Sequence, residues 1–531
     1  MNLYTISFIL IIIFNVIKNK KSFHMLQQNL YNENNRYVKW MIKHYKRVFI
    51  SLDFLSMIII IIAYILNDNL SQILVILAMI FYFLDTARIL NNTKADKVKK
   101  ELVITKRVKR LILTFTVLLL LPTVVYLADR DNGLLLLAIE SILTYFSYIL
   151  VLIAKFLNRP IEKIVYRYYE TQAKEKLSEM KNLRVIGITG SYGKTSSKNI
   201  LNDILKTKYL TRPTPRNLNT EYGLMMTVNN YLEKYDQVFI AEMGAYKQGE
   251  IKKLCNLVHP KYGILTNIGL AHLESFGSPE KIKETKFELI ESLPDDGVAV
   301  LNMDDPNQVS YEIKNKCKKI WIGINNPDAD IRATDIVSDA NGSRFNVIIK
   351  GDKQKYSFET KLLGNYNIYN ILAGIALGLE FNISMKDLIN AVRKVRAPHA
   401  RLELKQFNYM YQINDAYNSN PLGAKMALDV LATMPGKRIV VTPGMTELGP
   451  KEDELNHTFG TQIAKVADAV ILVGAKKTRK VFDGLLENEY DKDKIFIVNN
   501  VFDAYNLLKT FKFEEDMYAL FENDLPDIYN E

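Results

Sequence analysis

Only two cysteines, Cys255 and Cys317, occur in 531 residues. Neither belongs to a CxxC pair, so a zinc site of four thiolates is excluded, and a disulfide scaffold is excluded at this length. A reducing compartment fits that usage. The chain also has no GxGxxG, and with it goes the sequence warrant for a dinucleotide site. No Lys or Arg precedes the first apolar run and no small-residue cleavage site follows it, so the start does not read as a secretory signal. The net charge is +11, but the basic residues cluster beside apolar runs, as at Lys18, Lys20 and Lys21 and at Lys106, Arg107, Lys109 and Arg110. Such clusters belong to cytoplasmic loops facing anionic lipid, so membrane lipid, and no nucleic acid, is the expected partner.

Five apolar stretches crowd the first third of the chain: 1–17, 49–66, 71–90, 111–128 and 133–157. Each is near the length that crosses a bilayer. The loops 18–48 and 91–110 are rich in Lys and Arg, whereas Asn67–Asn69 has no basic residue and 129–132 has only Arg130. Positive loops stay inside. Five spans then place the N-terminus outside and everything after residue 158 in the cytoplasm. Asp53, Asp85 and Glu140 lie in or near spans; Asp85 has Arg88 one turn away for a local pair, and Asp53 lies near a span end, with water close. Residues 158–183 read as a charged amphipathic helix that connects this segment to a soluble part.

RVIGITGSYGKTSSKNILNDIL (184–205) runs from an apolar strand through glycines into a helix. That is the setting of a phosphate loop: glycines let backbone N–H groups crowd a phosphate, and the helix N-terminus adds positive charge. Gly190, Ser191, Gly193, Lys194, Thr195 and Ser196 form the candidate nucleotide loop, with Lys194 reaching the β- and γ-phosphates and Thr195 the Mg²⁺ ion. The strict Walker spacing asks for glycine where this chain has Ile188, so the loop is a variant. VFIAE (238–242) reads as a buried strand ending in a carboxylate, Glu242. From about residue 396 the strands KRIVVTPG, DAVILVG, KIFIVN and MYALFEND alternate with helices 451–467, 476–489 and 501–511, which predicts a parallel sheet.

TGSYGKTSSK resembles the ATP loop of the Mur ligases, and an ordered set of motifs follows it: VFIAEMGAYKQGEI (238–251), TNIGLAHLESFGS (266–278), ETKFELI (284–290), LNMDD (301–305), LLGNYNIYNILAGIALGL (362–379) and RLELKQFNYMYQINDAYNSNP (401–421). The set is most similar to the branch that adds D-alanyl-D-alanine to a muramoyl tripeptide. The resemblance runs from about 184 to 475. It implies an α/β fold: a P-loop ATPase-like central domain (184–395) and a Rossmann-like C-terminal domain (396–531), preceded by an all-α transmembrane segment (1–157, about five helices) and the connecting helix (158–183). It implies ATP and Mg²⁺ as cofactors, Thr195, Glu242, His272 and Lys286 around the metal (Lys286 as a carbamate), and catalytic roles for Lys194, His272 and Lys286. Asn367 and Asn370 would meet the adenine, with helix capping as the alternative. Arg401 and Asp415 would reach the nucleotide on domain closure, with a surface ion pair as the alternative. Tyr417, Asn418 and Asn420 would line the cleft facing the incoming amine.

Departures from the pattern matter as much. Tyr366 stands where the family has His; Pro443 and Gly444 replace the first two residues of Gly-Asp-Met-x-Glu-Leu-Gly; the late Lys-Gly-Ser-Arg motif is absent, and the chain ends FENDLPDIYNE. The family's N-terminal domain, which holds the UDP-sugar, has no counterpart. The implied function is a multi-pass cell-membrane ligase with cytoplasmic catalytic domains, joining the carboxylate of a muramoyl peptide to an amino acid or dipeptide. Two alternatives stand: the same chemistry on a lipid-linked precursor or envelope poly-amino acid, and an ATP-driven transporter or sensor. The last predicts transport signatures and several paired charges inside the spans, and the sequence shows neither.

Overall fold

The computed structural model describes residues 2–95, 101–128, 130–417 and 419–524. They fall into two compact units that divide between Arg167 and Tyr168.

The first unit is helical. Leu3–Gln28, Tyr45–Leu66, Asn69–Asn91 and Lys106–Ala128 are each long and apolar enough to cross a membrane. Ile65, Phe83, Leu113 and Val117 lie exposed on the outside of these helices, a surface suited to lipid. The fifth apolar stretch is not one rod: Gly133–Tyr145 and Ser147–Leu157 meet at 84°, so the unit has four candidate spans, or five if the bent pair is one. Its cause lies in the first helix. The Lys18 ammonium donates to the carbonyls of Thr144, at 2.9 Å, and Tyr145, at 3.2 Å, while the N–H of Ile149 turns to Phe146 O. A cation that takes the last carbonyls ends a helix.

Two sequence expectations are corrected here. Lys18 is inside a helix and buried rather than in a loop, because the first helix continues to Gln28. Asp53 is fully buried rather than near water: it takes the Lys18 ammonium at 2.5 Å. A paired charge therefore does sit inside the helical unit. Desolvating either ion alone is costly, so the two are buried together. The Asp85–Arg88 pair forms as expected, at 2.7 Å.

The second unit carries two sheets. The first contains β1 (Arg184–Thr189), β2 (Thr211–Pro213), β3 (Val238–Glu242), β4 (Tyr262–Leu265), β5 (Val298–Asn302), β6 (Lys318–Gly323), β7 (Ile331–Asp339), β8 (Gly342–Ile349) and β9 (Lys355–Thr360). Its order is β2-β3-β1-β4-β5-β6-β7-β8-β9, parallel through β7 and antiparallel from there. Every residue of β3 is buried, as a central parallel strand covered on both faces requires. Ile186, Ile188 and Ile240 pack with Ile200 and Ile204 of the helix Lys194–Leu205 and Ile371 of the helix Asn365–Glu380. The antiparallel extension β7–β9 was not legible in the sequence; β7 buries alternate residues only at its start.

The second sheet contains β10 (Glu403–Phe407), β11 (Met410–Asp415), β12 (Lys437–Thr442), β13 (Ala469–Val473), β14 (Ile495–Val498) and β15 (Met517–Glu522), in the order β10-β11-β15-β12-β13-β14. All neighbours except β10 and β11 are parallel. The four strands expected after residue 436 form where the alternation puts them.

Candidate active site

β1 lies between β3 and β4, so its end delivers the loop Gly190–Gly193 to the carboxyl edge of the sheet. Two glycines are obligatory there. Gly190 has φ +152°, and a Cβ on it would fall 1.9 Å from Thr266 Oγ1; Gly193 has φ +79°, and a Cβ would fall 1.1 Å from the Tyr366 hydroxyl. The TNIG segment after β4 clasps the loop. Ser191 N–H donates to Asn267 O at 2.8 Å, Ser191 Oγ to Gly269 O at 2.8 Å, and Thr266 Oγ1 to Tyr192 O at 2.6 Å. Beyond the loop, the helix Lys194–Leu205 presents its N-terminal N–H groups, which have no partner within the helix. Ser196 is buried in its first turn.

Lys194 folds back on this loop and donates to Gly190 O at 2.7 Å. Burial pushes its pKa down to about 8. An anion brought to the loop would offset that desolvation. Thr195 Oγ1 donates to Glu242 Oε1 at 3.2 Å, and Asn219 Nδ2 donates to the same oxygen at 3.0 Å. Lys198 Nζ stands 2.9 Å from Glu242 Oε2, both side chains being buried. Burial alone would raise the Glu242 carboxyl, but the Lys198 charge holds it below its ordinary value.

His272 and Lys286 come from the segment after β4, and the Lys194 charge acts on Lys286. His272 Nδ1 is 2.6 Å from Glu447 Oε2 of the PGMTELG segment, and Glu274 N–H donates to Glu447 O at 3.2 Å. Both His272 and Glu447 have left-handed backbones, φ +56° and +64°. Strain of that kind in non-glycine residues gathers at functional sites. Lys286 is buried in the helix Pro279–Glu291, with Nζ 5.5 Å from the Phe276 ring centroid, and burial pushes its pKa down to about 7.

Asn370 Oδ1 accepts from Ser197 Oγ at 2.7 Å, and Asn370 Nδ2 donates to Asn367 Oδ1 at 3.2 Å, so this pair ties its helix to the nucleotide-loop helix. The helix-capping alternative does not hold: the N-cap is Gly364. Arg401 stacks on Tyr417, 4.3 Å from the ring centroid, and makes no ion pair among the described residues, in place of the alternative surface pair. Its charge and that of Glu242 both act on Lys194. Asp415 Oδ1 accepts Leu402 N–H at 3.2 Å. Asn420 is buried and caps the helix Pro421–Ala432 through Gly423 N–H, at 3.1 Å. Asn418 lies outside the described residues.

Residues 188–378 match the model of the Mur ligase middle domain, and residues 400–520 match that of the Mur ligase glutamate ligase domain. The UDP-N-acetylmuramoyl-tripeptide–D-alanyl-D-alanine ligase of Bacillus subtilis is 33% identical over 327 residues, 61% of this chain and 69% of that protein. The chain belongs to the Mur ligase family. The ligase of the same name from Escherichia coli is 31% identical over 60% of this chain and 70% of its own. The crystal structure of MurF ligase from Thermotoga maritima in complex with ADP superposes with TM-score 0.61 at 25% identity, covering 68% of this chain and 82% of that one.

This Mur ligase is thus an ATP-dependent ligase with the family's two α/β domains and an additional helical unit. Sequence reasoning missed several of its site residues. Lys198 is one turn after Lys194 in TSSK, a spacing that aims both down one helix face. Asn219, Asn267 and Glu447 sit in loops, and only the tertiary fold brings them to the site. Thr195 and Glu242 offer hard oxygen donors at one spot, which suits Mg²⁺ shared with nucleotide phosphates. Among the described residues, no three His, Cys, Asp or Glu side chains converge as a metal cage.

Proposed function

We propose that this Mur ligase is membrane-anchored and forms an amide bond through an acyl phosphate, adding D-alanyl-D-alanine or a similar amine to a muramoyl peptide in peptidoglycan precursor synthesis. The observation that carries the reading is the glycine loop before the helix Lys194–Leu205, clasped by TNIG, with the charge of Arg401 from the second sheet's domain acting on Lys194. The Bacillus subtilis and Escherichia coli relatives, ligases of UDP-N-acetylmuramoyl-tripeptide and D-alanyl-D-alanine by name, supply the acid and the amine. A carboxylate of the substrate attacks the γ-phosphate and releases ADP; the amine then attacks the acyl carbon and phosphate leaves. The groups are anionic, so Lys194, Arg401 and the loop N–H groups stabilise the charge that they share. Thr195 and Glu242 hold Mg²⁺, which supplies further positive charge at the phosphates when bound. His272, which pairs with Glu447, would complete the set of residues around the metal. Lys286, kept near neutrality by burial, has the free amine that carbamylation needs. Asn367 and Asn370 border the adenine, Asp415 the nucleotide, and Tyr417, Asn418 and Asn420 the amine. The domains divide as 1–157, 158–183, 184–395 and 396–531.

A second reading keeps the chemistry and changes the acid to a lipid-linked precursor or envelope poly-amino acid. The exposed apolar surface of the helical unit favours it, since confinement at a bilayer helps only if the substrate is there too. Full-length protein in nanodiscs would be given ATP, Mg²⁺, D-alanyl-D-alanine and either UDP-N-acetylmuramoyl-tripeptide or a lipid-linked muramoyl tripeptide. The expected result is ADP release and a new amide detected by mass spectrometry; no product from either acid overturns both readings. A chain beginning at Tyr168 should keep ATP binding. If it processes the soluble acid as well as the full chain does, the lipid-linked reading falls.

A further inference from the structure

The carboxyl ends of β11, β15 and β12 lie side by side, which is where open α/β sheets bind their ligands. Glu522 ends β15 and stands in register with Asp415 at the end of β11. Next to it, Asn523 Nδ2 donates to Gly444 O just beyond β12, at 2.7 Å. Glu522 is 1% exposed. One carboxylate oxygen accepts from Ser419 Oγ at 2.5 Å; the other is buried with no hydrogen-bond partner among the described residues. An unpaired buried carboxylate oxygen is costly, and a native fold keeps one where something else is to pair with it.

The charges around it define what fits. Asp415 and Glu522 are two acids; Arg401 acts on both but makes no ion pair with either among the described residues, its guanidinium resting on Tyr417. Burial pushes both carboxyls above their ordinary range, and the Asp415 charge raises Glu522 further. A ligand that supplies positive charge and N–H donors would relieve both. Two carboxylates without a third ligand make no metal cage among the described residues, whereas an ammonium group needs only acceptors. Ser419, the residue that orients Glu522, lies between Tyr417 and Asn420, the stretch that the sequence assigns to the amine.

We propose that Glu522 binds the ammonium group of the incoming amine and takes the proton that the nitrogen must lose before it can attack. This rests on the acyl-phosphate reading above. R–NH₃⁺ and the Glu522 carboxylate become R–NH₂ and the Glu522 carboxylic acid. The nitrogen lone pair then forms the C–N bond, the C–O bond to phosphate breaks, and the second proton on nitrogen leaves with the phosphate. The substrate class is a primary ammonium of an amino acid or dipeptide, recognised by charge at the nitrogen end.

The test separates this step from the one before it. Hydroxylamine is uncharged at neutral pH, needs no base, and traps an acyl phosphate as a hydroxamate. Full-length protein, ATP, Mg²⁺ and the acid that turns over are given either hydroxylamine or D-alanyl-D-alanine. In Glu522→Gln the hydroxamate should persist. Ligation of D-alanyl-D-alanine should fall on the order of 10²-fold near pH 7 with a raised KM, and the loss should shrink as the pH approaches that at which the amine is free. Unchanged KM and pH profile overturn the proposal, whereas absence of hydroxamate from the wild type overturns the function reading instead. Should the variant fail to fold, the wild type decides: its acidic limb should appear with D-alanyl-D-alanine and not with hydroxylamine, and equal limbs overturn the proposal.

Discussion

Single side chains here carry opposed demands of stability and chemistry. Lys194 is the fixed cation of the phosphate loop, so Lys194→Ala should leave the fold intact and slow substrate-dependent ADP release a few hundred-fold. That corresponds to about 3–4 kcal/mol of transition-state stabilisation; ADP release at the wild-type rate would remove the loop from the mechanism. Glu522 shows the cost on the other side. Its pKa in the fold is raised by burial and by Asp415 above that of the unfolded chain. An acid shifted this way stabilises the fold fully below its unfolded pKa, and the contribution is lost as the pH rises through the folded value. Glu522→Gln, which never ionises, should therefore raise the melting temperature at pH 8 and change it little near pH 4. A variant that is more stable and less active is the signature of a site held under strain. Equal melting temperatures at pH 8 would show that Glu522 carries no such strain.

At the level of elements, close approach decides which positions tolerate change. Gly193 and Gly249 both have left-handed backbones, but a Cβ on Gly193 would overlap the Tyr366 side chain while one on Gly249 meets nothing within 4 Å. Gly249→Ala should cost only the backbone term, about 1 kcal/mol, and keep nucleotide affinity. Gly193→Ala adds overpacking, for about 2–4 kcal/mol in all, and should abolish ATP binding. Nucleotide titration and thermal unfolding of both variants check this, and equal behaviour would mean that Tyr366 does not border the loop. In the helical unit, Lys18 joins Asp53 to the end of Gly133–Tyr145. Lys18→Met alone leaves a buried carboxylate unpaired and should destabilise the unit by about 3–5 kcal/mol, whereas Lys18→Met with Asp53→Asn should recover much of that. Denaturant unfolding in detergent would show it, and a double variant no better than the single would remove the pairing as the cause.

For the whole molecule the question is which side of a membrane each part faces. Basic loops at 18–48 and 91–110 predict that these and the ligase domains share the ATP side. The bend at Phe146 makes this a sharper question, because a re-entrant pair would return the chain to the other side and part the ligase from ATP. Asn69→Cys should react with an impermeant thiol reagent added outside intact cells, and Glu101→Cys should not. The background is quiet: both native cysteines are buried, and burial pushes the Cys255 thiol up to about 12 and raises Cys317 as well. The reverse labelling pattern would place the ligase where it has no ATP and sink the proposed function.

Local patterns carried the sequence a long way. The strand–glycine–helix run at 184–205, the ordered Mur motifs and the alternation after residue 436 depend on neighbours in the chain, so the family, the C-terminal parallel sheet and the strand–loop–helix at 184–205 were legible without coordinates. What required the tertiary structure was every meeting of distant residues. His272 with Glu447, Lys198 with Glu242, Lys18 with Asp53 and Glu522 with Ser419 join residues 175, 44, 35 and 103 positions apart, and no periodicity encodes such pairs. The bend at Phe146 belongs with them. Residues 133–157 are apolar enough for one helix, and it is a lysine from the first helix, taking two carbonyls, that decides otherwise.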